Sequence, residues 1–169
     1  NNNTADYNTA VGAYAGDSIL AGYSNTAVGD SALAGAATND NTAVGKSALG
    51  AFTGSNATAV GAYAADAAGS QTGITAVGHN ALSAATSGNN NTAVGSACLD
   101  GTIDGYSNTA VGYDALSVDC TNHNVAVGKS ALSVFTGSSA TAVGSGAADV
   151  AVGNASLTAV GYNALGAAT

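Results

Sequence analysis

The chain repeats one short pattern of apolar and polar positions along its whole length. The tetrapeptide Thr-Ala-Val-Gly occurs nine times, and a tenth copy reads Val-Ala-Val-Gly at positions 125–128. The glycines that end these copies, here called the motif glycines, follow one another at intervals of 16 or 17 residues. A unit this short cannot bury a core alone, whereas a stack of such units can. The pattern predicts an all-β parallel solenoid of about ten coils, a single domain over residues 1–169.

Two columns of identical residues define the repeated unit. The residue before each motif glycine is always valine, which predicts a structural ladder, the valine column: Val11, Val28, Val44, Val60, Val77, Val94, Val111, Val127, Val143 and Val160. The residue two positions earlier is threonine in nine copies, which predicts a ladder at an interface or ligand face, the threonine column: Thr9, Thr26, Thr42, Thr58, Thr75, Thr92, Thr109, Thr141 and Thr158. Val125 takes the place of threonine in the remaining copy.

The spacing of the β-branched residues favours strands over helices. Threonine and valine at period two suit a pleated strand, and helical hairpin repeats need roughly 30 residues or more. We therefore predict one short strand over each Asn-Thr-Ala-Val segment and a second strand over the Ala-Leu segment that follows. The motif glycine would stand at the corner between them, with a positive φ or a tight bend. Stacked asparagines would hydrogen-bond along the axis.

Both faces of the predicted strand are restricted, since threonine and valine share one face and the intervening alanine occupies the other. Two interpretations remain open. In the first, the second face packs against partner chains, as in a homotrimer, and the alanine column allows close approach. In the second, threonine and valine point outward as a ladder that binds a regular lattice such as ice, and alanine fills a thin interior.

Composition narrows the possible functions. Charged residues make up 7% of the chain and the formal net charge is −8 with two lysines, which argues against nucleic-acid binding. The sequence has no run of about 18 apolar residues and so predicts no membrane insertion. His79 and His123 are predicted to be loop residues, Cys98 a small buried residue, and a disulfide from Cys98 to Cys120 is disfavoured because their positions in the repeat differ. We expect no enzyme activity, no metal and no cofactor.

Three other features, the acidic segment, an extra half-motif and four tyrosines, do not by themselves indicate a binding site. The acidic segment 100–105 is only faintly like a calcium loop, because it lacks the further ligands of an EF-hand. Val150-Ala151-Val152-Gly153 is an extra half-motif in which a second strand would imitate the first. Four tyrosines near motif glycines can stack on sugars, although corner packing explains them equally well. They are Tyr14, Tyr63, Tyr113 and Tyr162.

The repeat as a whole resembles those of trimeric autotransporter adhesin heads of the YadA-like group and of phage-type tail fibres. Asn25 to Leu33 and Asn41 to Leu49 carry the likeness best, with the form Asn-Thr-Ala-Val-Gly-x-x-Ala-Leu. The resemblance implies a homotrimer of left-handed parallel β-rolls, extracellular, at a cell surface or in a virion, that binds a cell-surface receptor or glycan. The YadA-like repeat is typically shorter and has an aliphatic residue where this chain has threonine.

The resemblance leads to one main functional expectation and two alternatives. The main expectation is a structural and adhesive segment of a longer fibre. The alternatives are an ice-binding solenoid that uses the Thr-x-Val ladder and a self-assembling extracellular filament. A weaker similarity to bacterial ice-nucleation repeats rests on segments such as Ala21-Gly22-Tyr23.

Overall fold

The computed structural model of the chain describes residues 6–84, 87–101, 104–151, 153 and 156–166. Within them the fold is all-β, with ten short parallel strands in one sheet that follow chain order. The strands are β1 (Thr9–Val11), β2 (Thr26–Val28), β3 (Thr42–Val44), β4 (Thr58–Val60), β5 (Thr75–Val77), β6 (Thr92–Val94), β7 (Thr109–Val111), β8 (Val125–Val127), β9 (Thr141–Val143) and β10 (Thr158–Val160). The predicted β-solenoid is confirmed.

The strands stack in the register that the repeat predicts. Threonine lies beside threonine, alanine beside alanine and valine beside valine, as in the pairing of Thr75 with Thr92. The hydrogen-bonded ladder continues past the strand ends, because the Gly95 N–H donates to the Val77 carbonyl at 2.8 Å and the Thr92 N–H donates to the Asn108 carbonyl at 2.8 Å. Each coil is therefore held mainly by the coils above and below it.

The predicted second strand over the Ala-Leu segment is wrong, because this segment is a turn. In the sixth coil Ala97 and Leu99 have φ values of 53° and 51°, in the left-handed region. Two left-handed residues so close together bend the chain into a corner, where an extended strand cannot run. The turn still bonds between coils, since the Leu99 N–H donates to the Ala115 carbonyl at 3.0 Å.

The core is narrow and consists chiefly of small side chains. The alanines of β2 to β10 are all buried, and so are the alanine and leucine of most turns. Phe52 and Phe135 are the bulkiest fully buried side chains among the described residues. Stacking makes this possible, because each small residue gains its apolar contacts from the same residue one coil away.

A buried column of asparagines confirms the predicted amide ladder and shows how it works. The Asn108 Oδ1 accepts from the Asn124 N–H at 2.9 Å, and the Asn108 Nδ2 donates to the Thr121 carbonyl at 2.7 Å. A direct amide-to-amide bond also joins Asn41 Nδ2 to Asn25 Oδ1 at 3.0 Å. The column therefore bonds mostly to the backbone of the next coil.

One buried amide has no such partner. Both polar atoms of the Gln71 side chain are buried and lack a hydrogen bond within the described part of the chain. A buried donor or acceptor left unpaired costs about 1–3 kcal/mol. We expect Gln71→Met, which keeps the length of the side chain, to raise the free energy of unfolding by about 1 kcal/mol. Chemical denaturation measures the change, with the exposed Thr53→Met as control, and a less stable Gln71→Met variant would contradict the prediction.

Candidate functional site: the outer face

The threonine and valine columns lie together on the outside of the coils. In β2 to β10 the middle alanine is buried, whereas the residues on either side of it are half-buried or exposed. We call the surface made by these two columns and Val125 the outer face. The alanine column lines the interior, so it is not the surface at which a partner chain can approach.

The outer face is a long apolar strip with a regular spacing. Neighbouring strands of a sheet are about 4.8 Å apart, and alternate residues of one strand are about 6.6 Å apart. Val94 and Val111 expose 37% and 36% of their surface in the middle of the strip. The valine is half-buried or exposed in every coil, always on the same side, so the column forms a contiguous patch rather than scattered exposure.

Polarity on the outer face comes only from threonine hydroxyls. No charged residue belongs to either column. Within the described residues no hydrogen bond uses the hydroxyl of a threonine in this column, so these groups are available to water, a ligand or a partner chain. Val125 shows that a methyl group replaces the hydroxyl in β8 without loss of register, because it pairs with Thr109 and Thr141.

A polar rim runs beside the valine column, at the residues that follow the motif glycines. The Lys46 ammonium lies 5.7 Å from the centre of the Tyr63 ring, and that ring meets His79 edge-on with 6.1 Å between centroids. The hydrogen bond to Tyr63, and then the charge of Asp30, raise the pKa of the exposed Lys46. An apolar strip with a polar rim is the usual anatomy of a protein interface.

The residues considered for chemistry are spread over the coils. His79 and His123 are exposed, as predicted for loop residues, and Cys98 and Cys120 are both buried, without a disulfide. Burial raises the pKa of the Cys98 thiol to about 12, and its Sγ donates to the Gly95 carbonyl at 3.0 Å. Cys98 is therefore a small packing residue, as the sequence indicates.

The acidic segment and the half-motif add no site. Burial, and then the charge of Asp114, raise the pKa of Asp100. Positions 102 and 103 lie outside the described residues, and no group of three or more metal-ligating side chains occurs in the described ranges. Val152 is also outside them, whereas Val150 and Ala151 belong to no strand. The described part of the chain has no helix that is long and apolar enough to cross a membrane.

Fold and surface define the class of this protein as a parallel β-solenoid repeat protein with one unpartnered sheet face. No known protein family, curated protein or solved structure matches the chain.

Proposed function

We propose that the protein is a structural and adhesive rod that associates with copies of itself through the outer face. The observation that carries the proposal is the valine column, which lies on the outside of every coil although alanines and leucines already form the shared core of the stack. Exposed valines do not stabilise the folded monomer by burial, so their presence in every coil is explained if another surface covers them. The expected setting is extracellular, at a cell surface or in a virion.

The chemistry of the strip supports a second copy of the same chain as its partner. Identical ladders match in period along their whole length, so one contact between two rods repeats in every coil. The absence of charge in the columns keeps like-charged groups out of the contact itself, although each rod has a formal net charge of −8. A parallel homotrimer, as in the YadA-like group, places three such strips around one axis.

Exchanging methyl and hydroxyl groups on the outer face tests the proposal. We expect Val94→Ser with Val111→Ser to weaken self-association, because both changes remove apolar surface from the contact. Thr92→Val with Thr109→Val adds apolar surface at neighbouring positions, so this variant keeps the assembled state. Light scattering measures the mass in solution against the 15.8 kDa of one chain.

The matched control is Val134→Ser, which changes a valine of similar exposure, 40%, outside the outer face. It should leave the mass in solution unchanged. A wild-type chain that stays monomeric at every concentration would overturn the proposal.

Ice binding is the second candidate, and the free threonine hydroxyls at a constant spacing favour it. Measuring the thermal hysteresis of the same threonine variant separates the two functions, because ice binding and self-association predict different effects of this variant. Thr92→Val with Thr109→Val would lower hysteresis if the hydroxyls order water, whereas assembly would persist. A wild-type chain without hysteresis removes the ice-binding candidate.

A further inference from the structure

The chain contains a longer repeat that spans five coils. Several rare residues recur 83 positions later at the same place in a coil, within otherwise variable segments. The pairs are Tyr23 with Tyr106, Lys46 with Lys129, and Phe52 with Phe135. Both lysines and both phenylalanines of the chain belong to this pattern. A structural feature that these residues form in the first half of the chain is therefore expected again 83 residues later.

Two shallow pockets follow this longer repeat. Each lies between two coils, beside a Gly-Tyr-Ser-Asn segment, and their volumes are about 350 and 320 Å³. A glycine, a tyrosine, a threonine and an asparagine line both at corresponding positions. These residues are Gly22, Tyr23, Thr38 and Asn39 in the first pocket and Gly105, Tyr106, Thr121 and Asn122 in the second.

The tyrosine of each pocket is held at its backbone while its ring stays accessible. The N–H of Tyr23 donates to Asn39 Oδ1 at 3.1 Å, and the N–H of Tyr106 donates to Asn122 Oδ1 at 2.9 Å. The two tyrosines expose 48% and 44% of their surface. The Tyr106 ring also meets the His123 ring edge-on, with 5.1 Å between centroids.

The combination of groups identifies the class of ligand. An open aromatic face packs against the apolar C–H face of a sugar ring, and the asparagine Nδ2 beside it, whose Oδ1 already binds the tyrosine N–H, can donate a hydrogen bond to a sugar hydroxyl. In the first pocket the Thr38 hydroxyl donates to the Gly54 carbonyl at 2.7 Å, so toward a sugar it acts as an acceptor. The formal net charge of −8 disfavours sulfated or other anionic saccharides. We propose that the two pockets, the Tyr23 site and the Tyr106 site, bind neutral saccharides.

The placement of the two sites suits attachment to a surface covered with glycans. Five coils separate them, which is about 24 Å along the rod at the spacing of stacked strands. Two weak sites on one rigid support bind a multivalent surface more tightly than either site alone. Both tyrosines lie three residues before a strand, outside the outer face. The proposal deepens the adhesive part of the proposed function and rests on it, although it uses different residues from self-association.

Saturation-transfer NMR on the full chain tests the sites, with glucose, galactose, mannose and N-acetylglucosamine as separate probes. We expect at least one of these sugars to bind saturably. Tyr23→Ala and Tyr106→Ala should each remove about half of the bound sugar, and the double variant should remove nearly all of it. The control is Tyr14→Ala, which changes an exposed tyrosine outside both pockets and should keep full binding.

Two results would overturn the proposal: no saturable binding of any of the four sugars, or equal losses in the Tyr14→Ala and double variants. Light scattering of the variant with both Tyr23→Ala and Tyr106→Ala distinguishes a loss of sugar binding from a loss of self-association. The variant should retain the wild-type mass in solution. Val94→Ser with Val111→Ser should in turn retain sugar binding, so either proposal can fail without the other.

Discussion

Replacing Gly95 with alanine is expected to destabilise the solenoid by about 3 kcal/mol or more. A Cβ atom at this position would stand 2.4 Å from the carbonyl oxygen of Gly112 in the next coil, and Gly95 has a φ of 141°. The obstacle is backbone that itself belongs to the stack, so it cannot move aside as a flexible side chain would. Thermal unfolding followed by circular dichroism should show a melting temperature lower by about 6–12 °C or more.

Gly161 offers a matched control within the same column. Its φ is 129°, but the nearest atom to an added Cβ is the Cβ of Ala164 at 3.8 Å. Gly161→Ala therefore imposes the backbone strain without the collision, and we expect it to cost about 1–2 kcal/mol. The difference between the two variants measures the stacking contact alone. Equal losses of stability would show that φ, and not the close approach of coils, requires glycine here.

The features of the fold that sequence reasoning predicts are those that every coil repeats. Identical residues at a fixed period can only stack on one another, which is why the register of Thr75 on Thr92 follows from the sequence. The corner glycines can also be predicted from the sequence, because a glycine that recurs directly after every strand indicates an unusual φ at that position. The hydrogen bonds of the asparagine ladder along the axis are predicted for the same reason, whereas the burial of the asparagines and their bonds to the backbone of the next coil come from the structure.

The turn after each motif glycine is harder to predict. Leucine and alanine rarely adopt a positive φ alone, yet Leu99 and Ala97 both do. The local preference is overridden by the stack, because each such turn bonds to the turns of neighbouring coils. Asn80 and Asp114, which occupy the position of Ala97 in other coils, are the available signal, since both residue types tolerate this conformation.

The direction of the threonine and valine columns also needs the structure. Alternation in Thr-Ala-Val shows which residues share a face but not which face is inside, because alanine fits both a narrow core and a close interface. The structure decides it, because the middle alanine of β2 to β10 is buried and the residues on either side are not. The saccharide pockets also cannot be predicted from the sequence, because Tyr23 and Asn39 lie in neighbouring coils and only the fold brings them together.

Replacing the buried Asn108 with alanine is expected to lower the free energy of unfolding by about 3 kcal/mol. The change removes the acceptor of the Asn124 N–H and the side-chain donor to the Thr121 carbonyl, and so breaks the link between neighbouring coils at two points. Asn89→Ala is the control, because Asn89 also accepts a backbone N–H from the preceding coil, that of Thr72 at 2.9 Å, but is exposed.

Water can replace the exposed amide of Asn89, so Asn89→Ala should cost well below 1 kcal/mol in chemical denaturation. Three other coils have a buried apolar residue at the asparagine position, and each of them lies outside a run of stacked asparagines: Ala57, Ile74 and Ala140. An apolar residue is therefore tolerated there where it does not interrupt the ladder. Asn108→Ala differs because Asn91 and Asn124 remain above and below it as members of the ladder. If Asn108→Ala and Asn89→Ala cost the same, the coils are held by backbone pairing and apolar packing, and the amide column adds nothing to their stability.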